Sequence, residues 1–424
     1  MTQRLRLATR TTFRSLQTRN FRLFATGQIV SQAGTWMQTV AIVWVVLDLT
    51  DSGTALGLVT AAQFLPMLLL GAWTGLLADR FDRHKLLIGT QLAFTALAVV
   101  FSALTLADAA TVPVMYVLSL VFGIITAFDN PARRVFVSEL VDADDVPNAV
   151  GLNSALMTGS RVVGPALAGA IIAGPGAALC FVLNAVTYVA VIVALLRMDR
   201  SAFRAAPLVA RAKGQMREGF AYVWRTPELR LSLALVGVIG VTAFNYQVTL
   251  PLLAERTFNG DATTFTLLYT TMSIGSLGGA LAVARKTDLK MSFMVRTGSI
   301  LAVSTLGLAL APNLPLALLA CLPIGYASIY LFSGSSAAVQ LMADPAMRGR
   351  VLALLAMLFL GSTPIGGPIV GWISEVSSPR VGIAIGGVAT GLCTLWTARQ
   401  IRARDAALQA EPVDEVGPAQ VAAA

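Results

Sequence analysis

Gly75-Leu76-Leu77-Ala78-Asp79-Arg80-Phe81-Asp82-Arg83-His84-Lys85 interrupts a chain otherwise made of long apolar runs. Charge is excluded from hydrocarbon and collects where a chain re-enters water. A short charged segment between two apolar runs therefore reads as the connection between two membrane-spanning helices. The rest of the chain agrees with that reading. Of its 424 residues 56% are hydrophobic and 12% charged, and its mean hydropathy is +0.73. An ordinary soluble domain carries about 25% charged residues. A surface with so little charge must face lipid over much of its area.

Apolar stretches fall at roughly 22–48, 53–77, 86–108, 111–130, 147–174, 176–197, 230–254, 262–284, 292–311, 314–339, 349–373 and 378–398. Each is near the ~20 residues that cross a bilayer core, so the sequence predicts an all-α polytopic membrane protein with 12 transmembrane helices. The formal charge of +9 would suggest nucleic acid on a soluble protein. Here Arg and Lys instead gather at the N-terminus and in alternate connections: Arg80–Lys85, Arg133 and Arg134, Arg197–Arg230, Arg285–Lys290, Arg348 and Arg350, and Arg399–Arg404. The positive-inside rule then places both termini in the cytoplasm and assigns no nucleic-acid partner.

The longest internal connection, 198–229, divides the chain into six-helix bundles over 22–197 and 230–398. It follows a basic lead-in over 1–21 with no signal-peptide pattern, and a largely disordered tail is expected over 399–424. Within the connection, Phe220 and Trp224 share a helix face suited either to the membrane surface or to a plain tether. Gly159-Ser160-Arg161-Val162-Val163-Gly164-Pro165 in the fifth span is echoed by Gly361-Ser362-Thr363-Pro364-Ile365-Gly366-Gly367-Pro368 in the eleventh. Equivalent positions in two halves are the mark of a parallel repeat, one way in which secondary transporters are built.

Catalytic chemistry finds no footing. The three cysteines lie inside apolar runs without metal-ligand spacing, His84 is the one histidine, and no Gly-rich phosphate loop with Gly-Lys-Ser/Thr is present. The chain is therefore expected to be neither an enzyme nor an ATPase, with no cofactor and no metal. Its polar residues suggest movement instead. Gly75, Asp79, Arg80 and Arg83 could form a latch that holds one conformation, or could simply fix topology. Gly151, Ser160, Gly164, Pro165, Ala168 and Gly169 make a smooth face on the fifth span, and Pro165 frees the carbonyl of Arg161. That face could slide between the halves or serve ordinary helix packing.

Arg161 lies ~20 Å along its helix, where an arginine needs water, a partner or an anionic ligand. Asp129 is one possible partner. Gln28, Trp36, Gln63, Asn153, Asn245, Tyr246 and Met357 could line a large amphipathic cavity, although a helix–helix hydrogen bond would account for most of the amides singly. No carboxylate stands at the centre of a span. Asp48 and Asp129, near opposite membrane faces, are the remaining candidates for proton coupling.

These motifs resemble the major facilitator superfamily from about Asn20 to Arg399. The 75–85 segment looks like that family's loop signature between its second and third helices, with Asp82 where glycine is usual. The 151–169 pattern is similar to the antiporter signature of its drug-exporting branches, with Ser160 and Ala168 in place of glycines. Asn20-Phe21-Arg22-Leu23-Phe24, Gly27-Gln28, Ser31 to Gln38 and Asn130-Pro131-Ala132-Arg133-Arg134 look like the branch of transmembrane secretion effectors. That branch includes the bacterial enterobactin exporter and relatives that expel macrolides and other drugs. The resemblance implies two pseudo-symmetric six-helix bundles in a bacterial inner membrane. It also implies a monomer that exports amphipathic small molecules, whether siderophores, drugs or lipid-like metabolites, by alternating access with proton antiport. A nutrient or sugar importer of the same fold, and a lipid-handling or sensor membrane protein without transport, are the alternatives.

Overall fold

A computed structural model describes residues 13–78, 81–204, 215–284 and 292–410. Among them, twelve helices or broken helices are long and apolar enough to cross a membrane. The first six are α1 (Arg19–Thr50), α2 (Gly53–Ala78), α3 (Arg83–Leu106), α4 (Val112–Glu139), α5 (Val146–Ala173) and α6 (Ala177–Leu196). A short amphipathic helix, α7 (Gln215–Arg225), precedes the second set. The seventh span is broken into α8 (Pro227–Thr242) and α9 (Tyr246–Phe258). Then come α10 (Ala262–Ala284), α11 (Ser292–Leu310) and α12 (Leu314–Met342). The eleventh span is broken into α13 (Pro345–Leu360) and α14 (Thr363–Val376), and α15 (Pro379–Ala410) closes the chain.

The two halves repeat one packing scheme. Helices α1 and α5, α2 and α4, and α3 and α6 pair in the first half; α8–α9 with α13–α14, α10 with α12, and α11 with α15 pair in the second. Small residues permit these approaches. Gly123 of α4 lies against the Gln63 carbonyl of α2, and its counterpart Gly325 of α12 lies against the Met272 carbonyl of α10. The first and seventh spans end alike, at Asp51 (φ 44°) and Asn259 (φ 49°), both left-handed. Asp and Asn reach that region more readily than most side chains, so each span can reverse within a few residues.

Between the halves the contacts run from α2 to α14 and from α5 to α10. They gather at the end of the molecule opposite the chain termini, where backbone meets backbone. Added methyl groups at Gly53 and Gly57 would strike the carbonyls of Gly371 and Gly367, and one at Gly169 would strike Thr266.

Several boundaries differ from the sequence reading. Helix α4 runs to Glu139, past Pro131, so Arg133 is a buried helical residue (5% exposed) and not a loop charge. Its side chain has partners inside the bundle, which lets the helix continue where charge alone signals an exit. The seventh and eleventh spans, expected to be continuous, are interrupted. In the eleventh, Pro364 has no N–H to bond the Leu360 carbonyl four residues back, and Gly361–Ser362 take up the break. In the seventh, the Asn245 side chain donates to the freed Val241 carbonyl at 2.7 Å. The last helix runs on to Ala410, where its Arg404 pairs with Glu228 of α8.

The glycine seam should control which end is closed. Gly57→Ala would set a methyl 2.5 Å from the Gly367 oxygen. Overpacking of this kind costs about 1–3 kcal/mol, or roughly a 5–150-fold change in a two-state ratio. Spin labels at Thr50 and Ser377 should therefore show a longer-distance population in the variant; unchanged distances would remove the seam from any gating role.

Candidate functional site: a bridged end and a charged interior

At the end where the halves meet, three polar bridges cross between them among the described residues. Arg256 of α9 pairs with Asp51 (Nε to Oδ1, 3.1 Å), while Glu375 of α14 accepts from the Ser52 hydroxyl and the Thr54 amide, both at 2.8 Å. Thr54 stands in the first turn of α2, so the carboxylate of one half caps the positive helix end of the other. Arg256 and Asp51 are 24% and 70% exposed, and exposed pairs contribute only ~0–1 kcal/mol each. These bridges align the halves and give way easily.

At the end that carries the termini, the ion pairs stay within one half: Arg14–Asp145, Arg83–Glu139, Arg200–Asp82 and Arg204–Asp142 in the first, Arg350–Glu218 and Arg404–Glu228 in the second. The structure is thus sealed by inter-half bridges at one end, and no ion pair of the described residues crosses the other. Asp82 caps α3 by accepting from the Lys85 amide at 3.2 Å, which explains why a turn can form there without glycine. His84 is buried, with Nε2 2.9 Å from the Leu195 carbonyl and its ring against Phe136 and Phe203. Asp199, in the connection after α6, has its carboxyl held below the usual range by the Ser201 hydroxyl and amide.

Of the expected latch residues, Arg83 engages Glu139, and Gly75 lies near the end of α2. Asp79 and Arg80 lie outside the described residues.

Within the first half, five polar side chains from three helices converge. Asp129 of α4 is 2% exposed and forms an ion pair with Arg133, one helical turn on. Its Oδ1 also accepts from Thr90 Oγ1 at 2.8 Å and Gln91 Nε2 at 2.9 Å, both on α3. Arg133 donates in turn to Gln28 Oε1 of α1. The sequence offered Asp129 as a partner for Arg161; the partner is Arg133, because the two sit four residues apart on one face of the same helix. Thr90 also lines a groove of about 600 Å³ between α3 and α4 at the terminus-bearing end, with Asp82 and Lys85 at one side and Leu86, Ile124, Ile125 and Phe128 along its wall.

The remaining candidates separate by location. Arg161 lies with its guanidinium carbon 5.1 Å from the Trp36 ring centroid. Gly164 packs beside Trp36 and Ala33, inside the first half rather than between halves, and buried Pro165 follows it. Gly366 stands in the matching place against Val241 and Asn245. Gly169 is the residue of the fifth-span face that meets the other half, whereas Gly151 has open space around it.

Asn245 is 2% exposed with Oδ1 unpartnered, and Gln63 is 5% exposed with Nε2 unpartnered. Tyr246 reaches Ser328 at 3.4 Å, a contact within the second half. Asn153 points at its own helix neighbour Met157 (3.7 Å), and Met357 is exposed on α13. Asp48 is exposed at the bridged end, far along α1 from Gln28. The sequence reading passed over Thr90, Gln91, Glu139, Glu375 and Tyr269. Only the Asp129–Arg133 spacing offered a signal; the others depend on tertiary placement.

The buried pair gives a direct test. Asp129→Asn and Arg133→Gln should each lower thermal stability in detergent, by about 3–5 kcal/mol where a lone charge remains buried. The double variant should lose less than the sum. Additive losses would show that the two charges do not depend on one another.

Comparison with known proteins agrees with this architecture. The profile of the transmembrane secretion effector family matches residues 10–423. The staphyloferrin A transporter of Staphylococcus aureus is 25% identical over 369 residues, covering 85% of this chain and 91% of the relative. Macrolide efflux protein A of Streptococcus pyogenes is 26% identical over 356 residues, covering 80% and 85%. A crystal structure of a bacterial homologue of the human lysosomal transporter Spinster, inward-facing and occupied, superposes with a TM-score of 0.71 at 13% identity, covering 90% of this chain and 97% of that one. Twelve spans, two like-packed halves and a family match over nearly the whole length make this chain a member of the transmembrane secretion effector family of major facilitator transporters, secondary-active carriers of small molecules across the membrane.

Proposed function

We propose that the protein exports amphipathic small molecules from the cytoplasm by alternating access, with protons moving inward in exchange. The observation that carries this reading is the one-sided placement of the inter-half bridges, Arg256–Asp51 and Glu375 with Ser52 and Thr54. Halves joined at one end by glycine contacts and weak exposed bridges can rock apart there while closing at the other. The charge bias of the connections puts the terminus-bearing end in the cytoplasm. The arrangement is then the loading state, in which a cytosolic or inner-leaflet solute enters between the halves. Relatives named for macrolide efflux and for staphyloferrin A transport support a small-molecule cargo, and the first of these names supports the outward direction.

Asp129 is the favoured proton carrier. Its carboxylate is buried, tied to one arginine, and separated by Thr90 from a groove at the terminus-bearing end. Protonation would weaken the hold of Asp129 on Arg133 and on Thr90 and Gln91 and so loosen the α3–α4 contact, so the charge state and the packing of the half change together. Asp48 serves less well, since an exposed carboxylate at the bridged end has no buried partner to release. Gly75, Asp79, Arg80 and Arg83, with Glu139, are assigned to the gate at the cytoplasmic end.

The reading is tested in inverted membrane vesicles with a macrolide and a siderophore. Accumulation should require an imposed pH gradient, and Asp129→Asn should reduce it at least about tenfold at equal protein amount, a loss of ~1.4 kcal/mol or more. Accumulation that ignores the gradient would overturn the coupling, and uptake in the opposite orientation would overturn export.

A further inference from the structure

Arg133 of α4 and Arg161 of α5 stand in contrasting circumstances. Arg133 has a carboxylate and an amide oxygen against its guanidinium. Arg161, about 22 Å along α5 from Val146, forms no ion pair and no hydrogen bond among the described residues. What it does have is an aromatic wall. Its guanidinium carbon is 5.1 Å from the Trp36 ring, and the Trp36 and Tyr269 rings are 6.5 Å apart. Gln247 of α9 stands beside the Tyr269 hydroxyl.

Trp36 and Arg161 belong to the first half, Tyr269 and Gln247 to the second. The guanidinium is therefore placed on the seam along which the halves separate. Arg161 is also only partly buried, and none of its donors is taken by another described residue.

An arginine at this depth without a counter-charge is unfavourable, and a cation–π contact offsets only part of that. Its planar fork of donors matches the two oxygens of a carboxylate or phosphate, and such pairing strengthens where water is scarce. The geometry points to a substrate that carries a carboxylate or phosphate group, gripped by Arg161, with its apolar body laid against Trp36 and Tyr269. Because the grip comes from one half and part of the aromatic wall from the other, rocking the halves apart dismantles the site and lets the ligand go.

This rests on the export reading for its direction only; the anion site itself can be measured at equilibrium. The probes are N-dansyl-phenylalanine, which is a carboxylate, and its neutral amide, titrated onto the full chain in phosphatidylcholine nanodiscs. The wild-type protein should bind the acid at least tenfold more tightly than the amide. Arg161→Gln should bring the two within about twofold by weakening the acid alone, and Arg161→Lys should keep part of the preference.

Equal binding of acid and amide to wild type, binding of neither, discrimination that survives in Arg161→Gln, or equal loss of both ligands in that variant would each overturn the proposal. Nanodiscs containing phosphatidylglycerol separate the two sources of the anion: competition with the acid in wild type but not in Arg161→Gln supports a lipid headgroup at the same site, and no competition supports a free solute. Should discrimination hold while vesicles show no gradient-driven flux, export fails and the anion site stands.

Discussion

Hydrocarbon tolerates neither an unpaired backbone group nor an uncompensated charge, and that constraint organises this molecule. It forces the chain into helices long enough to cross, and it sorts the charged side chains. Those at the helix ends pair with one another or meet water. Those inside are costly without partners: Asp129 and Arg133 find theirs in each other and in Thr90, Gln91 and Gln28, and Arg161 has the Trp36 ring. The same constraint governs the interruptions in the seventh and eleventh spans: the Val241 carbonyl is satisfied by Asn245, and Gly366 comes close beside it.

Within that frame the halves are held by contacts of two kinds. Backbone-to-backbone approach at Gly53, Gly57 and Gly371 gives a close fit in which an added methyl would force the backbone to shift. The bridges of Arg256, Asp51 and Glu375 are exposed and weak. Shape therefore supplies the specificity of closure, and charge adds little depth to the well. A carrier needs that combination, since a seal reinforced by buried ion pairs would be slow to open.

Much of this was legible in the sequence for physical reasons. Runs near twenty apolar residues announce spans because bilayer thickness is fixed, and twelve were read. The repeat between Gly159–Pro165 and Gly361–Pro368 showed because equivalent helices need small residues at equivalent contacts. Charge at a helix end was less readable. Arg133 looked like a loop residue because a sequence shows a charge but not its partner, whereas α4 continues through Pro131 to Glu139. The bridges of Arg256 with Asp51 and of Glu375 with Ser52 and Thr54 join positions more than a hundred residues apart, which no local pattern encodes. Arg161 was conspicuous for its depth, yet the ring it rests on and the second half that faces it were not.

The breaks in the helices are unequally shared. The first and fifth spans are continuous rods, whereas their counterparts, the seventh and eleventh, are each jointed near Phe244 and Gly361. The Phe244 and Phe359 rings meet at 5.0 Å across those two joints. A rod whose hydrogen-bond ladder is already cut bends at less expense than an intact one. The molecule is thus a stiff half coupled to a compliant half, an arm and a wrist, and its repeat is symmetric in blueprint but not in elasticity.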